Sequence, residues 1–206
     1  MVILLSDPRV SAVPVRDAGV PFVRLGEEFG TARAWVRADL AERLGWAREA
    51  LPDGLSLRVV EGHRDLARQV QIIDAYEDEL RAADPAVTDA DLKQLTSRFV
   101  APVEVAPHVA GAAVDLTLAG PGGDLDMGTP IDATPEESAG ACYFAAGNVG
   151  AAARANRMLL ARVLGGAGLV NYPTEWWHWS YGDRYWALMT GAPAALHGPV
   201  GERVAA

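Results

Sequence analysis

The chain is short of what several function classes require. Cys142 is its only cysteine among 206 residues, which excludes an internal disulfide and a zinc site built on several thiolates, and leaves that residue the role of a small buried hydrophobe. Lysine is almost absent, with Lys93 alone, and the formal net charge is -9. A binder of phosphate backbones needs clustered cations to displace counterions, so nucleic acid is excluded as a partner. Long apolar runs are missing too. Met1 to Leu5 is apolar, but Asp7 and Pro8 stop it short of a secretory leader, and no stretch approaches the roughly 20 residues of a membrane span. These absences predict a cytoplasmic chain with no membrane partner. No Walker A, GxSxG or GxGxxG pattern occurs, so nucleotide and serine-hydrolase readings have no support. Asp124-Leu125-Asp126-Met127-Gly128 starts like a calcium loop, but its glycine falls one place early and Pro135 stands where the closing glutamate belongs.

What is present is ample material for one core: half of the residues are hydrophobic, and the length suits a single domain over 1–206. Residues 1–30, rich in Pro, Gly and short β-branched runs, predict an extended arm. Alanines and Leu44 at helical spacing predict a helix over Thr31–Ala50, closed by Pro52 and Gly54. Leu55 to Val60 alternates like a half-buried strand and runs directly into Glu61-Gly62-His63-Arg64. Helices are predicted over Leu66–Ala83 and from Thr88, which has capping-box spacing to Asp91. Val114–Leu118 reads as a strand, residues 119–123 as a turn, and Asp124–Met127 as the returning strand of a hairpin. Thr134-Pro135-Glu136-Glu137 has the form of another capping box, with Gly140 and Gly147 weakening any helix after it. Asn148–Leu164 predicts a helix stopped at Gly165-Gly166, and the aromatics of Glu175–Ser180 favour a strand. Helices and strands mix without regular alternation, so the class is α+β.

Histidine is scarce, with four in all, which makes its placement informative. His108 precedes Asp115 by seven residues across a run of small residues that lets backbone pass close to a site. Asp115 lies inside an apolar strand, where a buried carboxylate must meet a cation or a set of donors; an exposed sheet edge would serve it equally well. Glu175 and His178 stand three apart among Trp176, Trp177 and Trp179, either in a low-dielectric site or in an aromatic core strand with a hydrogen-bonded histidine. In a strict strand those two would point to opposite faces, so a turn or bulge near Trp176 is required if both serve one site. A catalytic zinc takes three N or O ligands and keeps a fourth position for water. His108, Asp115 and His178 supply that set, Glu175 a non-ligand carboxylate to carry protons, and Arg64 a donor for a developing oxyanion. Taken by itself, Arg64 reads more readily as a surface arginine paired with Asp65 or Glu61.

Taken together, Glu61-Gly62-His63-Arg64, the block from Pro107 to Leu118, Leu125 to Asp132, Asn156-Arg157 and Glu175-Trp176-Trp177-His178 resemble the zinc D-alanyl-D-alanine dipeptidases, the VanX-like group of the D,D-peptidase superfamily. The matching motifs span about residues 55–190. The resemblance implies a small antiparallel sheet flanked by helices and one Zn2+ on His108, Asp115 and His178. It further implies Glu175 as general base and acid and Arg64 as transition-state stabiliser. Asp132 would meet the free amine of a small D-dipeptide substrate, with Glu61 and Trp176 also on the substrate side. The pattern departs from the resistance-type dipeptidases at Ala106, where a serine is expected, and at Glu61 with His63, where an aspartate and a tyrosine are expected. Two other outcomes are compatible with the same metal set: a cell-wall D,D-carboxypeptidase or endopeptidase, and a zinc-binding protein without turnover.

Overall fold

The computed structural model describes residues 2–200. Its centre is an antiparallel sheet in which β3 (Ser56–Glu61), β4 (Ala113–Gly120), β7 (His178–Ser180) and β6 (Val170–Asn171) lie in that order. The short β5 (Gly123–Asp124) returns against β4. A second, two-stranded sheet pairs β1 (Phe22–Arg24) with β2 (Trp35–Arg37). The helices are α1 (Pro8–Ser11), α2 (Ala38–Glu49), α3 (Leu66–Ala83), α4 (Asp89–Thr96), α5 (Ala151–Gly166) and α6 (Arg184–Thr190). The architecture is α+β, a small antiparallel sheet flanked by helices, as the composition and the motifs predict.

Alternation along the strands sorts the sheet into two faces. Leu57 and Val59 of β3 and Val114, Leu116 and Leu118 of β4 join one core with Leu40, Leu44 and Ala47 of α2 and Leu160, Val163 and Leu164 of α5. The alternate residues Asp115 and Thr117 point the other way and are buried as well. A polar row covered on this side needs partners, and it becomes the site described below.

Several predicted elements shift. The helix predicted from Thr31 begins only at Ala38, because Trp35–Arg37 pairs with β1 and its backbone groups are satisfied by that ladder. Residues 2–30 contain α1 and β1 besides extended chain; α1 is capped by Asp7, whose side chain accepts from the Arg9 amide. Gly165 and Gly166 remain helical, and the stop falls at Gly168, which holds a φ of +85°. The returning hairpin strand covers only Gly123–Asp124. At Thr134 the capping box forms in full, with the Glu137 amide donating to the Thr134 hydroxyl and the Thr134 amide to the Glu137 carboxylate. No helix follows it, since Ala139 and Gly140 both turn to positive φ. The strand predicted over Glu175–Ser180 is a turn up to Trp177 and extended only from His178. Helix α6 was not anticipated, although Asp183 caps its first amides and Gly191 closes it in the left-handed region.

The long segment between β5 and α5 contains no helix or strand and is fastened from α5. Arg157, only 1% exposed, donates to the carbonyls of Met127 (2.8 Å), Tyr143 (2.7 Å) and Ala141 (2.8 Å). Its neighbour Asn156 donates to the Asp126 carbonyl at 2.8 Å. One guanidinium thus satisfies three carbonyls that no secondary structure would otherwise reach. Arg157→Met keeps the stem and orphans those acceptors. It is expected to lower the unfolding free energy of the zinc-free protein by about 3 kcal/mol or more, at roughly 1–3 per buried carbonyl. Urea denaturation checks this, and a loss below about 1 kcal/mol would mean that the loop is held by something else.

Candidate active site

The register of the sheet assembles the site. Asp115 on β4 stands opposite His178 on β7 and opposite Glu61 on β3. The second pairing depends on a bulge: Val59 faces Leu116 and Glu61 faces Asp115, so Val60 is an extra residue on β3. Unbulged pairing would set Val60 opposite Asp115 and carry Glu61 one place further. After β3 the chain turns through Gly62 and reaches Arg64, whose amide donates to the His108 carbonyl at 3.2 Å. Gly62 has no room for a side chain, since a Cβ there would come within 2.6 Å of the Trp35 carbonyl oxygen.

His108 enters from a tight turn before β4, in which the Gly111 amide bonds back to the His108 carbonyl and the Ala112 amide to that of Pro107. Gly111 makes the reversal at a φ of +66°, where a Cβ would come within 2.1 Å of the Phe22 ring. The turn brings His108 beside Asp115 despite their separation in sequence. His178 and Glu175 are brought together by the turn that their spacing demands, closed by the His178 amide donating to the Glu175 carbonyl at 3.3 Å. Asn171 secures the same turn by donating to the carbonyls of Glu175 and His178.

Three ligand atoms converge. His108 Nε2 lies 3.0 Å from His178 Nδ1 and 3.2 Å from Asp115 Oδ2, and His178 Nδ1 lies 3.1 Å from Asp115 Oδ1. Tetrahedral zinc with bonds of about 2.0–2.1 Å spaces its ligand atoms about 3.3 Å apart. The tautomer of His108 fits as well. Its Nδ1 lies 2.7 Å from the Gly62 carbonyl, which can only accept, so Nδ1 carries a proton and the ring, when neutral, turns a lone pair from Nε2 towards Asp115. A lone pair and a carboxylate, both buried and face to face, call for a cation between them. Among the described residues, these three form the one His/Cys/Asp/Glu group close enough to hold a metal ion.

The electrostatics of the cluster are mutual. Burial opposes the ionised form of Asp115, but the imidazoles of His108 and His178 outweigh it and hold the carboxyl well below its usual range. Burial would depress His108, and Asp115 outweighs that too, shifting it upward. His178 moves down, with burial prevailing over Asp115. Glu175 rises well above the carboxylate range through burial and then the charge of Asp115. Its Oε2 is 3.7 Å from His178 Nδ1, beside the ligand set.

Of the partners expected for a surface Arg64, the structure pairs it with Glu61, but not at the surface. It is largely buried and paired with Glu61 through Nε and Nη2, and Nη1 donates to Gln69 Oε1 at 3.0 Å. Asp65 instead caps α3, accepting from the Arg68 amide. Three of the five guanidinium donors are so used, leaving one on each terminal nitrogen where Arg64 lines the cavity. Gln69 went unremarked in the sequence. It is buried and ties Arg64 to the Ala101 carbonyl, and its place on the apolar stripe of α3 with Tyr76 and Leu80 was the available signal.

The ligand set, Glu175, Arg64, Glu61 and Asp132 all line one cavity of about 290 Å3. Asp132 sits there at a φ of +64°, in the left-handed region. Burial, followed by the charges of Asp115 and Glu61, pushes its pKa up to about 6. Trp176 is placed differently: it lies outside that cavity, buried edge-on against Trp177, and lines a neighbouring one that also contains Asp132. Its indole N–H donates to Thr129 Oγ1 at 2.9 Å and so fastens the Asp132 loop. The remaining histidines lie apart. His63 packs edge-on against Phe22, and His197 bonds to Asp39.

Comparison with known proteins agrees with this arrangement. The model of the M15 peptidase family, described as D-Ala-D-Ala dipeptidase, matches residues 30–190. A D-alanyl-D-alanine dipeptidase of Synechocystis sp. is 26% identical over 216 aligned residues, covering 85% of this chain and 87% of the relative. The D-alanyl-D-alanine dipeptidase of Escherichia coli is 40% identical over 72 residues, 34% of this chain and 35% of its own. In fold, the chain is similar to VanYB solved in complex with D-Ala-D-Ala, with a TM-score of 0.52 at 18% identity over 95% of this chain and 93% of the other.

Protons compete with the metal for these ligands. Because the folded, metal-free protein holds His108 above the ordinary imidazole value of about 6.5, zinc affinity is expected to weaken as pH falls through that raised value, so the loss starts above pH ~6.5. Competition titration with a chelator between pH 5.5 and 8.5 checks this. An affinity flat across that range would mean that the imidazoles are not ligands.

Proposed function

The chain belongs to the D-Ala-D-Ala dipeptidase family of M15 peptidases, and from that premise we propose that it hydrolyses a free D-dipeptide of the D-Ala-D-Ala type to its amino acids with one zinc ion. The observation that carries this reading is the gathering of His108, Asp115, His178, Glu175, Arg64 and Asp132 around one cavity. A cavity of about 290 Å3 sits at the small end of ligand sites, which run from about 300 to 1,000 Å3, and suits a molecule of dipeptide size.

Zinc bound by His108, Asp115 and His178 would supply Lewis acidity towards the scissile carbonyl and the attacking water. Glu175 takes a proton from that water and later gives it to the leaving amine. Its upward-shifted pKa matches a group that must accept and then release a proton near neutral pH. Arg64, braced by Glu61 and Gln69, offers its remaining N–H groups to the carbonyl oxygen as negative charge develops there. Asp132, ionised and partly buried, receives the substrate's ammonium group. An acylated amine would bring no charge and a single N–H donor in place of three.

Glu175→Gln is expected to lower kcat by about 10²–10⁴ while zinc content per chain stays that of the unmodified protein. Loss of zinc instead would make Glu175 a ligand and overturn its assigned role. Alanine release should be chelator-sensitive on D-Ala-D-Ala and far slower on N-acetyl-D-Ala-D-Ala and L-Ala-L-Ala. Equal rates on the acetylated peptide would remove the amine-binding role from Asp132.

A further inference from the structure

The polar end of the cavity is accounted for by the proposed chemistry; its apolar end is not. There the walls are Ile72, Phe99, Val100, Ala101 and Ala106, together with Leu5 from the N-terminal segment. Leu5 is only 3% exposed and packs with Ala101, Ala106 and Tyr172. Its position is fixed through backbone groups on both sides. The Leu5 amide donates to the Tyr172 hydroxyl at 3.1 Å, the Ser6 amide to Ser97 Oγ at 2.8 Å, and the Tyr185 hydroxyl to the Ile3 carbonyl at 3.2 Å. Tyr172 in turn donates to the Ser97 carbonyl, and its ring lies 6.1 Å from that of His178. A segment that forms no strand of the central sheet is thereby held against the site at three successive points, with one leucine side chain facing in.

The two ends of the cavity have opposite chemistry and different neighbours. Asp132 lies among Asp115, Glu61 and Arg64, whereas Leu5 lies on the side of Tyr172 and His178. A dipeptide anchored by its ammonium at Asp132 and cleaved at the ligand set extends its carboxy-terminal residue towards Leu5. We infer that Leu5, clamped by Tyr172 and Ser97, is the residue that limits the size of the substrate's carboxy-terminal side chain. The inference rests on the proposed dipeptidase reading, which supplies the orientation. Apolar pockets discriminate a single methylene by about 10–200-fold, so a leucine placed there is sufficient to favour D-alanine over longer residues.

The test compares D-Ala-D-Ala, D-alanyl-D-norvaline and D-norvalyl-D-alanine on the zinc-loaded protein and its Leu5→Ala variant. Leu5→Ala is expected to raise kcat/KM for D-alanyl-D-norvaline relative to D-Ala-D-Ala by at least about tenfold, while the relative rate on D-norvalyl-D-alanine stays unchanged. No shift, or an equal shift for both norvaline peptides, overturns the inference. Leu5→Val, a milder truncation, should move the same ratio in the same direction by less and covers the case in which Leu5→Ala folds poorly. The same ratio read as dissociation constants in a Glu175→Gln background, with and without Leu5→Ala, separates this inference from the function it rests on. Failure of the unmodified protein to cleave D-Ala-D-Ala would remove the dipeptidase reading, whereas unchanged binding ratios would remove the role of Leu5.

Discussion

The pairing of Asp115 with both Glu61 and His178, across three adjacent strands, is the contact to which the other site residues are referred. Register in a sheet is all or nothing for a side chain's direction, because a slip of one place sends it to the opposite face. Core packing of Leu116 against Val59 and of Val114 with Trp179 pins that register from the apolar side. The Val60 bulge then departs from it by one residue, where the strand passes from core to site. Ordinary hydrophobic pairing thus positions a charged row that would be costly to bury on its own merits.

Charge explains why the row tolerates its own composition. Asp115, Glu175, Glu61 and Asp132 line one cavity with the guanidinium groups of Arg64 and Arg68 and two imidazoles. The upward shifts at Glu175 and Asp132 come first from burial, and the neighbouring carboxylates add to them. On the proposed function, a divalent ion at the His108, Asp115 and His178 set and an ammonium at Asp132 would supply the missing positive charge from two sources, metal and substrate. The site is therefore electrostatically incomplete until both are present, which favours a zwitterionic ligand over a neutral one.

How much of this was legible in the sequence depends on the range of the signal. Helix α3 and its neighbour α4 could be placed because their caps are local, Asp65 and Thr88 each accepting from an amide three residues on. The His108, Asp115 and His178 set was visible because histidine is scarce and the chemistry of zinc restricts the donors. The turn at Glu175 followed from the period-2 rule, which forbids both residues from serving one site in a straight strand. What could not be read were relations between distant segments. Trp35–Arg37 has helical neighbours on one side and became a strand because Phe22–Arg24 was available to pair. Trp176, grouped with the substrate from its motif, bonds to Thr129 in a loop with no periodic signal. Leu5 carries an ordinary residue type, and only tertiary proximity gives it a place at the cavity.

The N-terminal segment has a further consequence when the protein is considered as it is synthesised. Val15 forms a parallel bridge with Ala195, and the amides of Arg16 and Ala195 exchange bonds with the Ala195 and Pro14 carbonyls. Val15 and Arg16 are therefore docked by a residue about 180 positions further along the chain, and the wall that contains Leu5 also waits for Tyr172 and Tyr185. Loop closure over such a span comes late in folding. Glu175 and His178 come from the same distal stretch as Tyr172 and Tyr185, so the metal set and the wall of its cavity are completed together and competence arrives as one event.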